Sequence, residues 1–263
     1  MGRPVEGGFE INMRARYRNL RLFADGLEMA QGCRMTLTAR SGVTILPNLH
    51  RLKILDLSES SAATLSGARQ IEVRSGNSIL AFGRLIEALT RTSGGERITD
   101  LVFSPDFPLW QASVSLTVPA GMRASEAVLR LLIASESGMP LAAYAAMDYS
   151  PSRPQAFFGR ACDALSLLAE TVNADAFVSP SGLCISDRFP RNPGLFLSKA
   201  DLLTEPIQTG SRLLLTTSMT SWQIGSFARV EWEGRSWTGR IVSSFLQADN
   251  VSGPWRAELE LNL

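Results

Sequence analysis

The sequence predicts a mainly β protein with a helical middle, an α+β arrangement across 263 residues. Three features predict it. Apolar and polar residues alternate with period two through the first and last thirds, as the two faces of a half-buried strand require. Gly, Pro and Asn breakers cut those thirds into many short runs, the spacing of a barrel or sandwich. The middle instead carries apolar residues three and four apart, the repeat of a helix face. The pattern divides the chain into a β region over residues 1–119, a helix-containing region over 120–190 and a second β region over 191–263.

Each element has its own signal. Phe9, Ile11, Met13, Ala15 and Tyr17 share one face of a first expected strand, with Glu10, Asn12, Arg14 and Arg16 opposite. Cys33, Met35, Leu37 and Ala39 repeat the pattern against Arg34, Thr36, Thr38 and Arg40. Residues 51–57 form a third run. Ser58 then opens a short helix through Leu65, closed by Gly67. Further short strands are expected over residues 71–73, 79–85, 98–103 and 112–118. Gly76-Asn77, Gly94-Gly95 and Pro105-Asp106 separate them. In the middle, one helix is expected over residues 124–135 and a linker over 139–154. A second helix is expected over 155–173, where Phe158, Cys162, Leu165, Ala169 and Val172 make one stripe. Residues 176–178 and 183–185 flank Ser179-Pro180-Ser181-Gly182 as a hairpin. The last third returns to strands over residues 212–217, 228–232 and 237–242. Trp255, Ala257, Leu259, Leu261 and Leu263 line one face of a final strand.

Composition excludes several classes of function. The chain is 45% hydrophobic and 19% charged, which is unlike a disordered protein. A formal net charge of +1 argues against a strongly basic nucleic-acid binder. No apolar stretch approaches the ~20 residues of a membrane span, so none is expected. The opening residues hold no secretory apolar run. Cys33, Cys162 and Cys184 lie far apart without a C-x-x-C, and read as buried apolar residues in a reducing compartment. Lysine occurs only at Lys53 and Lys199, so nearly all positive charge is arginine, which favours partly buried ion pairs.

Catalytic constellations are missing from the pattern. His50 is the only histidine and reads as a strand-edge residue beside an apolar run. Neither a nucleophile elbow nor a phosphate-binding glycine loop occurs. Asp56, Glu59, Asp100, Asp106 and Asp148 supply carboxylates, but no pair stands out from solvated surface. Asn250-Val251-Ser252 matches a glycosylation sequon and reads as a turn. Arg14, Arg16, Arg18 and Arg21 flank Tyr17, and read as the polar face of a strand paired with acids. Trp110, Trp222, Trp232, Trp237 and Trp255 divide between core and interface anchors. No catalytic residue, cofactor site or metal site is therefore expected.

The order of these segments resembles the baseplate hub, or tail-tip hub, of tailed bacteriophages. Four stretches carry the resemblance: residues 51–57 through 71–73; 79–86 followed by 97–101; 164–178 closed by 182–185; and 225–232 with 253–261. The resemblance implies two tail-tube-like β-barrel or sandwich domains, at 1–119 and 191–263, around the middle region. It further implies a homotrimer that joins a hexameric tail tube to a trimeric central spike. Expected partners are the tube protein, the spike protein, other baseplate proteins and the tape measure protein. Localisation would be the virion tail, assembled in the host bacterial cytoplasm. The alternatives from other classes are a tail-associated cell-wall hydrolase and a carbohydrate-binding β module.

Overall fold

Short turns and caps that the sequence specifies locally set the first third of the molecule. The structure is a computed structural model that describes residues 18–188, 193–218 and 221–263. The strand expected around Phe9 to Tyr17 lies outside the described residues. Strands β1 (Arg21–Ala24) and β2 (Leu27–Met29) form a hairpin about Asp25-Gly26. Strands β3 (Met35–Gly42) and β4 (His50–Leu55) pair antiparallel. Helix α1 (Glu59–Ser66) begins at Ser58, whose hydroxyl accepts the Ser61 N–H, and ends at Gly67. Strands β5 (Gln70–Ser75), β6 (Ser78–Ser93) and β7 (Glu96–Ser104) then meander through Gly76-Asn77 and Gly94-Gly95.

Two features of this region depart from the sequence pattern. Strand β6 runs for 16 residues, well past the expected end near Leu85, because its second half is exposed and shows no buried face. A short helix α2 (Phe107–Gln111) follows Pro105-Asp106, where only a breaker was expected. Pro108 sits in its first turn, where a missing N–H costs nothing. Strand β8 (Ser113–Val118) closes this part.

The middle holds two strands beyond the expected helices and hairpin. It contains α3 (Ala124–Ala134), β9 (Leu141–Ala145), β10 (Gln155–Arg160), α4 (Ala161–Thr171), β11 (Ala174–Ser179) and β12 (Gly182–Asp187). The expected linker over 139–154 contains β9, which pairs parallel with β12. The expected second helix starts six residues late, since residues 155–160 pair antiparallel with β8 instead. Phe158 therefore leaves the helical stripe and is 72% exposed, while Phe157 points inward at 4%. The hairpin about Pro180-Ser181 is as expected. Gly182 has φ +129, and a Cβ there would strike the Pro140 carbonyl.

The last third contains β13 (Leu195–Leu197), β14 (Ile207–Thr209), β15 (Arg212–Thr217), β16 (Phe227–Trp232), β17 (Arg235–Asp249) and β18 (Trp255–Asn262). Its strands join β1 to β7 in one 13-stranded sheet. The order is β14-β15-β18-β17-β3-β4-β7-β6-β5-β1-β2, with β16 on the first part of β17 and β13 beside β16. Strand β17 pairs with β18 and with β3, as well as with β16. Among the described residues the path has two free ends, so the sheets are not closed into barrels.

Two apolar cores result. One draws Leu22, Leu37, Leu52 and Leu101 from the first third together with Leu213, Leu246, Leu259 and Leu261 from the last. The other packs α3 and α4 through Val128, Leu131, Leu165 and Leu168 against Val118, Phe157 and Ile185. Ile45 reaches into this second core from the connection between β3 and β4.

Candidate functional site

The only histidine is placed by a central strand, not an edge. His50 opens β4, which pairs on both sides with β3 and β7. Its side chain is buried, and its ring meets Phe103 edge-on with centroids 5.3 Å apart. Burial lowers its pKa to about 3, so the imidazole is neutral. Its Nδ1 has no hydrogen-bond partner among the described residues. A cavity of about 100 Å³ touches it, lined also by Ser41, Ser179, Trp222 and Ser244. The lining contains no carboxylate to orient the ring.

The carboxylates are dispersed, each in structural work. Glu59 pairs with Arg97 at 2.7 Å, and Asp100 with Arg91 at 3.0 Å. Asp148 accepts the Ser125 N–H at the start of α3, 3.0 Å away. Asp56 takes a left-handed backbone, φ 56, at the end of β4. Asp106 is fully buried. One oxygen accepts the backbone and side-chain N–H groups of Asn48, at 3.2 and 2.7 Å, and the other has no partner. Desolvation raises its pKa to about 7, against the opposing pull of the Asn48 hydrogen bonds. With the Trp110 Nε1–H donating to the Ile45 carbonyl at 3.0 Å, this bond fastens residues 43–49 to α2.

Two further polar joints were invisible in the sequence. The first connects the middle to the last third. Asp175 on β11 lies between Arg188, 2.7 Å away, and Arg240 on β17, which is only 5% exposed. Arg240 also donates to the Gly225 carbonyl at 3.1 Å. The second connects β3 to the β17–β18 turn. The Asn250 side chain accepts the Met35 N–H and donates to the Cys33 carbonyl, at 2.8 and 2.9 Å. Asp249 accepts the Val251 and Ser252 N–H groups and the Thr36 hydroxyl. Burial would raise the Asp249 pKa, but these donors outweigh it and hold the carboxyl well below the usual range. The sequon-like Asn250 is thus a turn residue, as its pattern predicted.

Other singled-out residues fall into place. Arg21 pairs with Glu28 and stacks on Phe23, as expected of a polar-face residue, whereas Arg18 precedes β1 and donates to the Gly253 carbonyl rather than to an acid. Arg14, Arg16 and Tyr17 lie outside the described residues. Cys162 and Cys184 are buried, but Cys33 is half-exposed, a correction to the buried reading. Trp222, Trp232, Trp237 and Trp255 pack partly buried against the first core. Arg160 stacks on Trp110 at 4.2 Å.

A groove of about 750 Å³ runs across the outer face of β15, β18, β17 and β3. Leu46, Ile207, Leu214 and Phe245 supply its apolar lining, and Glu205, Glu258 and Glu260 its acids. Leu46 and Ile207 are each 62% exposed. No cluster of three or more metal-ligating side chains occurs among the described residues. No helix among them is long and apolar enough to cross a membrane. Among the described residues, the arrangement offers surfaces and polar joints.

No family model matches the sequence, and no curated protein matches it. Solved structures do. A tail protein from Neisseria meningitidis superposes with a TM-score of 0.71 at 15% identity, covering 93% of this chain and 96% of that one. The 43 kDa tail protein of prophage MuSo2 from Shewanella oneidensis gives 0.68 at 12% identity, over 92% and 97%. An Escherichia coli component of the type VI secretion system, similar in structure to the T4 bacteriophage tail proteins gp27 and gp5, gives 0.66 at 10% identity, over 92% and 76%. Read with the open sheet and its two cores, these likenesses show that the chain has the fold of phage tail proteins.

Proposed function

We propose that the protein is a structural component of a phage tail tip, acting as the hub between tube and spike. The observation that carries this reading is coverage: two tail proteins match over 92–93% of this chain and nearly all of their own length. An isolated shared motif would not extend so far. In this role the protein is a homotrimer. Its β regions, residues 1–119 and 191–263, present six similar units to a hexameric tube, while the three-fold axis seats a trimeric spike. The helix-containing residues 120–190 connect them. Partners are the tube, spike and other baseplate proteins, with the tape measure protein close by, in a virion tail assembled in the bacterial cytoplasm. The likeness to a protein similar in structure to the tail proteins gp27 and gp5 supports a place in the tail. His50 is buried and the cavity beside it has no carboxylate in its lining, which argues against a histidine-based hydrolytic step.

Mass measurement of the assembled tip complex tests the proposal. Three copies per complex are expected. Two or six copies around the axis would overturn the hub reading.

A further inference from the structure

Half of β6 has a partner on one side only. Residues 78–84 pair with β5, and residues 84–93 pair with β7. Beyond Arg84, no described strand lies on the edge away from β7. Ile86 is 37% exposed and Leu89 49% exposed on this edge.

The turn at the tip fixes which peptide groups face outward. Gly94 and Gly95 both have positive φ, 61 and 86, the signature of a two-residue primed turn. Ser93 and Glu96 close that turn as a hydrogen-bonded pair, and the ladder alternates from there. Arg91 opposite Ile98 and Leu89 opposite Asp100 are then bonded pairs. Thr92, Thr90 and Ala88 are the non-bonded positions. The Thr90 and Thr99 hydroxyls lie 3.1 Å apart, which fits the closer spacing of a non-bonded pair. The N–H and C=O groups of Ala88, Thr90 and Thr92 therefore point away from β7. No proline or lysine blocks residues 86–93, two of the devices by which edges are usually protected.

The register points to a second copy of this chain as the occupant. We infer that β6 pairs antiparallel with β6 of another molecule about Leu89. In that register Ala88 of each copy faces Thr90 of the other, so outward peptide groups meet outward peptide groups. Leu89 meets Leu89 of the other copy. Glu87 of each copy then stands across from Arg91 of the other, giving two cross-strand ion pairs on the face of Leu89. A two-fold axis requires this self-complementarity, and the sequence Glu87-Ala88-Leu89-Thr90-Arg91 supplies it. Within its own chain Arg91 holds Asp100 at 3.0 Å, so its guanidinium is already positioned on that face. The pairing belongs to the free chain before incorporation into a tail and does not rest on the three-fold reading above. It would cover an edge that otherwise invites indiscriminate strand addition.

Sedimentation of the purified full chain over a range of concentrations tests this. The parent should form a concentration-dependent dimer. Thr90→Pro removes only an outward N–H and should weaken the dimer about tenfold or more, whereas Thr90→Ala should leave it unchanged. Arg91→Glu should weaken it similarly by opposing Glu87, and the double change Glu87→Arg with Arg91→Glu should restore it. The double change keeps the matter decidable if the proline variant fails to fold. A parent that stays monomeric, or a double variant no tighter than Arg91→Glu alone, overturns the inference. A parent that forms trimers indifferent to Thr90→Pro overturns it while leaving the hub proposal standing.

Discussion

His50 and Asp106 are buried groups whose ionisation runs against the folded state in opposite directions. The His50 pKa falls from 6.5 to about 3 on folding. Below pH 6.5 the unfolded chain takes up a proton that the native state refuses, so this contribution to stability is lost as pH falls toward 3. Asp106 moves from 3.8 up to about 7. The native state keeps a proton that the unfolded chain releases, so its contribution is full at low pH and lost as pH rises through 7. Thermal melting should resolve both. Relative to the parent, His50→Leu should gain ground as pH is lowered from about 7 to about 4, and Asp106→Asn as pH is raised from about 5 to about 8. Gaps that stay constant with pH would refute the assignments. The sequence marked His50 as unusual only by being alone. Its burial comes from β7 pairing beside it, a contact between residues some fifty positions apart in sequence.

At the scale of elements, the final strand gives the sharpest contrast between two faces. Ala257, Leu259 and Leu261 are all buried, while Glu258 points outward into the acidic groove. Burying a leucine contributes about 1.5–3 kcal/mol, and Leu259→Asp would also bury an unpartnered charge. Leu259→Asp should therefore abolish soluble yield or lower the melting temperature by ten degrees or more, at about 4–8 °C per kcal/mol in small domains and less in larger ones. Glu258→Gln, which loses only a long contact with Arg256, should melt within a degree or two of the parent. Comparable melting of the two variants would reverse the strand's faces.

That strand was legible because alternation of side chains is a local property. So was α1, whose Ser58 cap and Gly67 stop act within a few residues of themselves. The segment over 155–160 was not. Phe158 happens to lie four residues before Cys162, so helical spacing continued by coincidence into a strand held by β8. The β1–β2 hairpin was missed because strands of four and three residues are too short to show a period. Of the candidate site, only the turn role of Asn250 was readable. Asp175 and Arg240 are 65 residues apart, and nothing near either one announces the other.

For the molecule as a whole, the Asp175–Arg240 joint ties the middle to the last third. Arg240 is nearly inaccessible, and its Nη2 has no partner among the described residues. Asp175→Ala would leave a buried guanidinium uncompensated, a loss of about 3–5 kcal/mol. Arg188→Ala removes only the more exposed cation and should cost about 1 kcal/mol or less. Denaturant titration of the two variants should show that order, and equal midpoints would mean that the joint carries no such weight.

Strand β17 has a mechanical consequence as well. Seven of its residues, Ser243 to Asp249, pair with β3, while the opposite edge is tied to β18. A pull along the strand direction loads every rung of that ladder in shear at once. A pull across it would peel the rungs one by one. A protein with this sheet in a tail tip would thus resist sliding between its first and last thirds far better than splaying. Force spectroscopy with attachment points chosen along and across β17 would read that difference as two distinct rupture forces.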